Sequence, residues 1–152
     1  PYLFYRSMKF AKVAIAVIAF AAAYKAVDVL LLGKPADPKK AIAEWTEAIK
    51  SQLPKPVNES TSLTDIRSEW YEGGIHGGDD KYWQESYKSS VDPNEDSLNR
   101  EQEAITASIC KSEVHKKVMA LGITIQARVS IPNSYYSKDF AVSKTLCQAK
   151  QF

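Results

Sequence analysis

The sequence predicts an α+β protein in two parts. An N-terminal transmembrane or assembly-buried helix lies within residues 1–33. A small, mainly helical extramembrane body follows over residues 34–152, with a short antiparallel β element and a C-terminal disulfide. Three observations carry this reading. A stretch near the N-terminus is apolar and almost free of charge. Two later segments repeat apolar residues at helical spacing. One run, residues 123–131, alternates apolar and polar residues.

The apolar stretch covers residues 13–32, VAIAVIAFAAAYKAVDVLLL, broken only by Tyr24, Lys25 and Asp28. As a helix, residues 10–32 would extend roughly 34 Å at 1.5 Å per residue. That is enough for a hydrocarbon core of about 30 Å. Val13, Ile15, Val17, Ile18, Phe20, Val27, Leu30 and Leu31 would face lipid or neighbouring helices. Lys25 and Asp28 stand three apart and can pair on one helical face. Arg6, Lys9 and Lys12 precede the run with no acidic residue among them, which places the N-terminus on the cytoplasmic side. The body then lies in a periplasm, an extracellular space or an intermembrane space. Tyr2, Phe4, Tyr5 and Phe10 beside these cations suit a membrane interface. The segment from Met8 also has the pattern of a secretory signal, and an all-round apolar helix also suits the centre of an assembly.

Gly33 and Pro35 end this helix, and Asp37 with Pro38 starts the next as N-cap and first turn. Ile42, Trp45, Ile49 and Leu53 then form one apolar stripe, which Pro54 and Pro56 terminate. Residues 54–64 read as a loop. Within it Asn58-Glu59-Ser60 fits an N-glycosylation sequon. Thr64 or Asp65 would cap a short helix through Trp70 and Tyr71. Next comes a loop holding four of the chain's 6 glycines, and His76 sits inside it. Asp96 would cap a second long helix over residues 97–119, with Ala107, Cys110, Val114, Val118 and Leu121 on its apolar face.

Ile123, Ile125, Ala127, Val129 and Ile131 alternate with Thr124, Gln126, Arg128 and Ser130, the signature of a half-buried strand. Its ladder needs partners. Residues 81–88 and 143–151 are the intrachain candidates. A strand short of partners would present Ile123, Ile125, Val129 and Ile131 at a sheet edge open to another subunit. Residues 138–148 suit a short helix or another strand. Cys110 and Cys147 are the chain's 2 cysteines, and an exported body favours their pairing.

The 20 Lys+Arg against 18 Asp+Glu give a net charge of +2, with no basic patch interleaved with aromatics, so nucleic acid is not an expected partner. HExxH, paired CxxC, GxSxG and phosphate-loop motifs are missing from the sequence. No cofactor, metal or small-molecule substrate is implied. His76 has Glu72, Asp79 and Asp80 near it in sequence, and a solvated or packing histidine is the plainer role. Trp70, Tyr71, His76, Tyr82, Trp83 and Tyr87 form an aromatic–glycine region suited either to recognition or to the core.

These features define a non-enzymatic, single-pass structural or assembly subunit of an envelope or membrane complex, whose partners are protein and membrane lipid. A membrane-anchored binding module using residues 70–87 is the alternative. The order of apolar helix, amphipathic helix, small body and C-terminal cysteine pair also resembles that of type IV pilins. That resemblance implies a fibre subunit packed through its N-terminal helix. Pro1 and Tyr5 stand where that family usually carries Phe and Glu.

Overall fold

The computed structural model describes residues 35–73, 78 and 80–151. The expected anchor helix, with Val13 through Leu31, and His76 lie outside the described residues. Among the described residues no helix is long and apolar enough to cross a membrane.

From Asp37 onward the chain makes one compact unit. Helix α1 (Pro38–Lys50) is followed by β1 (Lys55–Pro56), β2 (Thr61–Tyr71) and β3 (Asp80–Ser89). Then come α2 (Glu95–Lys111), α3 (Glu113–Ala120), β4 (Ile125–Ser130), β5 (Ser137–Val142) and α4 (Lys144–Ala149). The strands form one five-stranded sheet in the order β1-β2-β3-β4-β5. The expectation of a mainly helical body with a short β element is therefore overturned. The sheet is the framework, and the helices pack on it. Neighbouring strands run antiparallel except β3 and β4, which are parallel and joined through α2 and α3.

Helix α1 starts as its sequence dictates. Asp37 is extended, and its carboxylate accepts from the Lys40 N–H at 3.1 Å, with Pro38 in the first turn. Ile42 and Ile49 are buried, while Trp45 and Leu53 pack against the core more loosely. The second long helix is two helices. Ser112 adopts an extended conformation (φ −74°, ψ 126°) and separates α2 from α3. The cap of α2 is Asn94 rather than Asp96, its side-chain oxygen accepting from the Ser97 N–H at 2.8 Å.

The segment expected as a loop and a short helix is strand β2. The cause is a bulge. Leu63 pairs with Tyr87 and Asp65 with Ser86, leaving Thr64 as an extra residue. The inward apolar residues Leu63 and Ile66 are thus three apart, which imitates helical spacing. Residues 137–149 hold both expected alternatives in succession, strand β5 and then helix α4.

The run of residues 123–131 behaves as its alternation requires. Ile123, Ile125, Ala127, Val129 and Ile131 are all buried, and Ile125 and Val129 are fully enclosed. It is not an edge, however. Ile125–Ser130 pairs with β3 on one side and β5 on the other, with Trp83 opposite Ile125 and Val142 opposite it on the far side. The expected sheet edge at Ile123, Ile125, Val129 and Ile131 is corrected accordingly, because residues 81–88 supply a full strand.

One face of the sheet is covered and one is open. On the covered face Ile66, Trp83, Ile125, Val129 and Val142 meet Ile42 of α1 and Ile105 and Ile109 of α2 in one core. The open face carries Arg67, Glu69 and Tyr71 of β2, Asp80, Gln84 and Lys88 of β3, Gln126 and Arg128 of β4, and Asp139 of β5, all exposed. Cys110 and Cys147 form a disulfide with Cα atoms 5.4 Å apart, tying α4 to α2.

Candidate functional site

Strand β3 alternates, so Lys81, Trp83, Glu85, Tyr87 and Ser89 share the covered face. This puts a carboxylate in the middle of an aromatic row under the helices. Glu85 is fully buried (0% exposed). Its Oε1 accepts from Trp83 Nε1 at 2.9 Å and from His115 Nε2 of α3 at 2.6 Å. Its Oε2 accepts from the Tyr87 hydroxyl. The His115 ring lies edge-on to Trp83, with centroids 6.1 Å apart.

Burial alone would push the Glu85 carboxyl upward. The hydrogen bond and charge of His115, then the hydroxyl of Tyr87 and the indole of Trp83, outweigh it, and the group sits below its ordinary range. Glu85 is therefore an anion whose lone pairs are met by three donors. Tyr87 is the mirror case. Burial, then the charge of Glu85 and its own hydrogen bond to it, hold the phenol well above the usual tyrosine range, so it stays a donor. His115 Nε2 must carry a proton to face the carboxylate. Its Nδ1 is buried with no hydrogen-bond partner among the described residues. The ring lines a small cavity of about 40 Å³ shared with Tyr87, Ser108 and Ser112.

A second buried carboxylate, Glu101 of α2, is 7% exposed. It accepts from Thr61 Oγ1 at 2.6 Å, Asn58 Nδ2 at 2.8 Å and Ser60 Oγ at 3.4 Å. The oxygen of the same Asn58 side chain accepts from the backbone N–H groups of Ser60 and Thr61, at 2.9 and 2.7 Å. The residue read as a glycosylation acceptor thus has both ends of its amide engaged in closing the turn into β2. Asn58→Ala is expected to lower the unfolding free energy by about 1–3 kcal/mol, because it strips a donor from a buried carboxylate and removes the acceptor of the part-buried Thr61 N–H. Urea unfolding checks this.

The aromatic–glycine region divides between the two faces. Trp83 and Tyr87 are core, at 0% and 3% exposed. Trp70 is half-buried at the sheet's end, with Lys81 Nζ 4.8 Å above its ring. The same ammonium donates to the carbonyl of Leu121 at the C-terminus of α3. Tyr71 and Tyr82 belong to the open face. Partial burial, then the facing Glu69 carboxylate, raise the Tyr82 phenol above its ordinary range. Arg67 pairs with Asp65 at 3.1 Å. Arg128 grips Asp139 across β4 and β5 with two bonds, at 2.6 and 2.8 Å, and holds that carboxyl below the usual range. Among the described residues no group of three or more His, Cys, Asp and Glu side chains is placed to hold a metal ion.

Sequence reading did not single out Glu85, Glu101 or Asn58 as partners in buried networks. For Glu85 a signal existed. Trp83-x-Glu85-x-Tyr87 has strand spacing, so a charged residue on an aromatic face was readable, although its partner His115 comes from a distant helix.

No family model and no curated protein matches the chain significantly. A solved structure is similar in fold: a Pseudomonas aeruginosa protein described as secreted. It has a TM-score of 0.51 and 11% identity, over 72% of this chain and 91% of the other. At that identity the likeness concerns the fold alone.

Proposed function

We propose that residues 34–152 are the exported body of a non-enzymatic, single-pass membrane-anchored subunit, and that the open sheet face makes its protein–protein contacts. The open face itself carries this reading. It spans β2 to β5 and presents Tyr71 and Tyr82 among paired charges at Arg67–Asp65 and Arg128–Asp139. Tyrosines and arginines are favoured contact residues at interfaces. The disulfide supports an oxidising compartment, and the structural neighbour's description as secreted agrees with one. The apolar, positively flanked stretch of residues 13–32 supports the anchor. The carboxylate–imidazole pair of Glu85 and His115 supports a structural rather than a catalytic role for these groups, because the carboxylate is sealed from solvent.

Photo-crosslinking in native membranes tests this. A photoreactive residue in place of Tyr82 or Gln126 should yield discrete adducts with one or a few proteins. The same residue in place of Glu44, on the exposed side of α1, should yield none. Uncrosslinked monomer from both open-face positions would reject the assignment.

A further inference from the structure

Helix α4 is an unusual element of this body. It has six residues, Lys144–Ala149, and none is buried. Leu146 packs partly against the core, and Lys150 reaches Glu103 at 4.0 Å between exposed side chains. Cys147 supplies the covalent tie to Cys110. The two sulfur-bearing residues differ in access. Cys110 is 2% exposed, whereas Cys147 is partly exposed. Both line an open groove of about 610 Å³ bordered by Met119, Gln148, Lys116 and Lys144.

We propose that this groove is a thiol-exchange site. A small-molecule thiol enters it, attacks Cys147, and unlatches α4 while the rest of the domain stays folded. Exchange depends on which sulfur a thiolate can reach, and here access favours Cys147. The cations Lys116 and Lys144 at the rim favour an anionic nucleophile, although Lys116 is partly neutralised by Glu113 at 2.7 Å. In the first step the thiolate sulfur bonds to Cys147 Sγ and the Cys147–Cys110 bond breaks. The electron pair leaves on Cys110 Sγ, which takes a proton from water. In the second step another thiolate attacks the mixed disulfide. Cys147 is released as a thiolate, and the two external thiols leave joined as their own disulfide. The protein gains two electrons and the thiols lose them. Without the tie, a helix with no buried residue is held among the described residues by the partial packing of Leu146 and Cys147 and by one exposed ion pair, so it separates at low free energy.

The test uses the full chain and reduced glutathione, with acid quenching and peptide mass spectrometry. The first adduct should sit on Cys147. The rate should follow thiolate concentration and stay flat across urea concentrations below the unfolding transition. After reduction, amide exchange in residues 144–151 should accelerate on the order of tenfold or more while β2, β3 and β4 keep their protection. Cys147→Ser should show the same local acceleration without any thiol. An adduct first on Cys110, a reduction rate that climbs with urea as global unfolding does, or unchanged exchange in residues 144–151 would each overturn the proposal. The first two are read on the unaltered protein, so they hold even if the variant does not fold.

Discussion

His115→Ala is expected to lower the unfolding free energy by about 3 kcal/mol, the upper range for stripping a hydrogen-bond donor from a buried charged group. The reason is the position of Glu85. Its carboxylate is fully enclosed, and it stays ionised because His115, Tyr87 and Trp83 all donate to it. Taking away the imidazole leaves a charge in the core with two donors. Glu85→Gln should be milder, because the amide oxygen still accepts from Trp83 or Tyr87 and no charge is stranded. The pair also fixes a pH dependence. The folded-state pKa of Glu85 is depressed, so this group binds its proton more readily when unfolded. Its contribution is fully present above the ordinary carboxylate pKa and is lost as pH falls through the lower folded value. Urea unfolding at pH 7 and at a pH below the ordinary carboxylate pKa should therefore show a fall in stability for the wild type that Glu85→Gln reduces. Equal acid sensitivity in both would reject the buried anion.

Trp83→Ala is expected to be at least as damaging, at about 3–5 kcal/mol, the range for removing a buried Trp. The indole is completely enclosed beneath the helices, and its N–H is one of the three donors to Glu85. Against a total stability of about 5–15 kcal/mol, this variant should be partly unfolded at 37 °C. Tyr71→Ala is the control. Tyr71 is 53% exposed on the open face, and its loss should stay within about 0.5 kcal/mol. Circular dichroism with urea titration separates the two. A folded Trp83→Ala protein of near wild-type midpoint would return that ring to the surface.

How much of this was legible in the sequence depends on whether the governing contact is local. Asp37-Pro38 names the start of α1, because a cap and a first-turn proline act within four residues. The alternation of residues 123–131 names β4, since period-two burial is written directly in the residue order. Strand β2 was hidden by one residue. The bulge at Thr64 moves Leu63 and Ile66 to helical spacing, so local pattern and true pairing disagree. Strand β3 was legible only as a candidate partner over residues 81–88, since Glu85 and Ser89 face inward where a strand pattern calls for apolar residues. The division of α2 from α3 at Ser112 left no mark, because serine is tolerated within helices as well as at their ends. The site follows the same rule. Cys110 and Cys147 were legible as a pair because the chain holds 2 cysteines. The Glu85–His115 and Glu101–Asn58 partnerships each join residues on separate elements, and only the folded chain brings them together.

The parallel pairing of β3 with β4 has a kinetic consequence. Strands β1 to β3 form a meander and β4–β5 a hairpin, and each can assemble from near neighbours in the chain. The seam between them sets Trp83 beside Ile125, with α2 and α3 in the connection. Closing it surrenders the freedom of a loop of about forty residues before any contact rewards the closure. The two halves therefore form early and the seam late. Until it zips, both strands that will become the middle of the sheet are open edges, and a nascent chain is most prone to pair wrongly there.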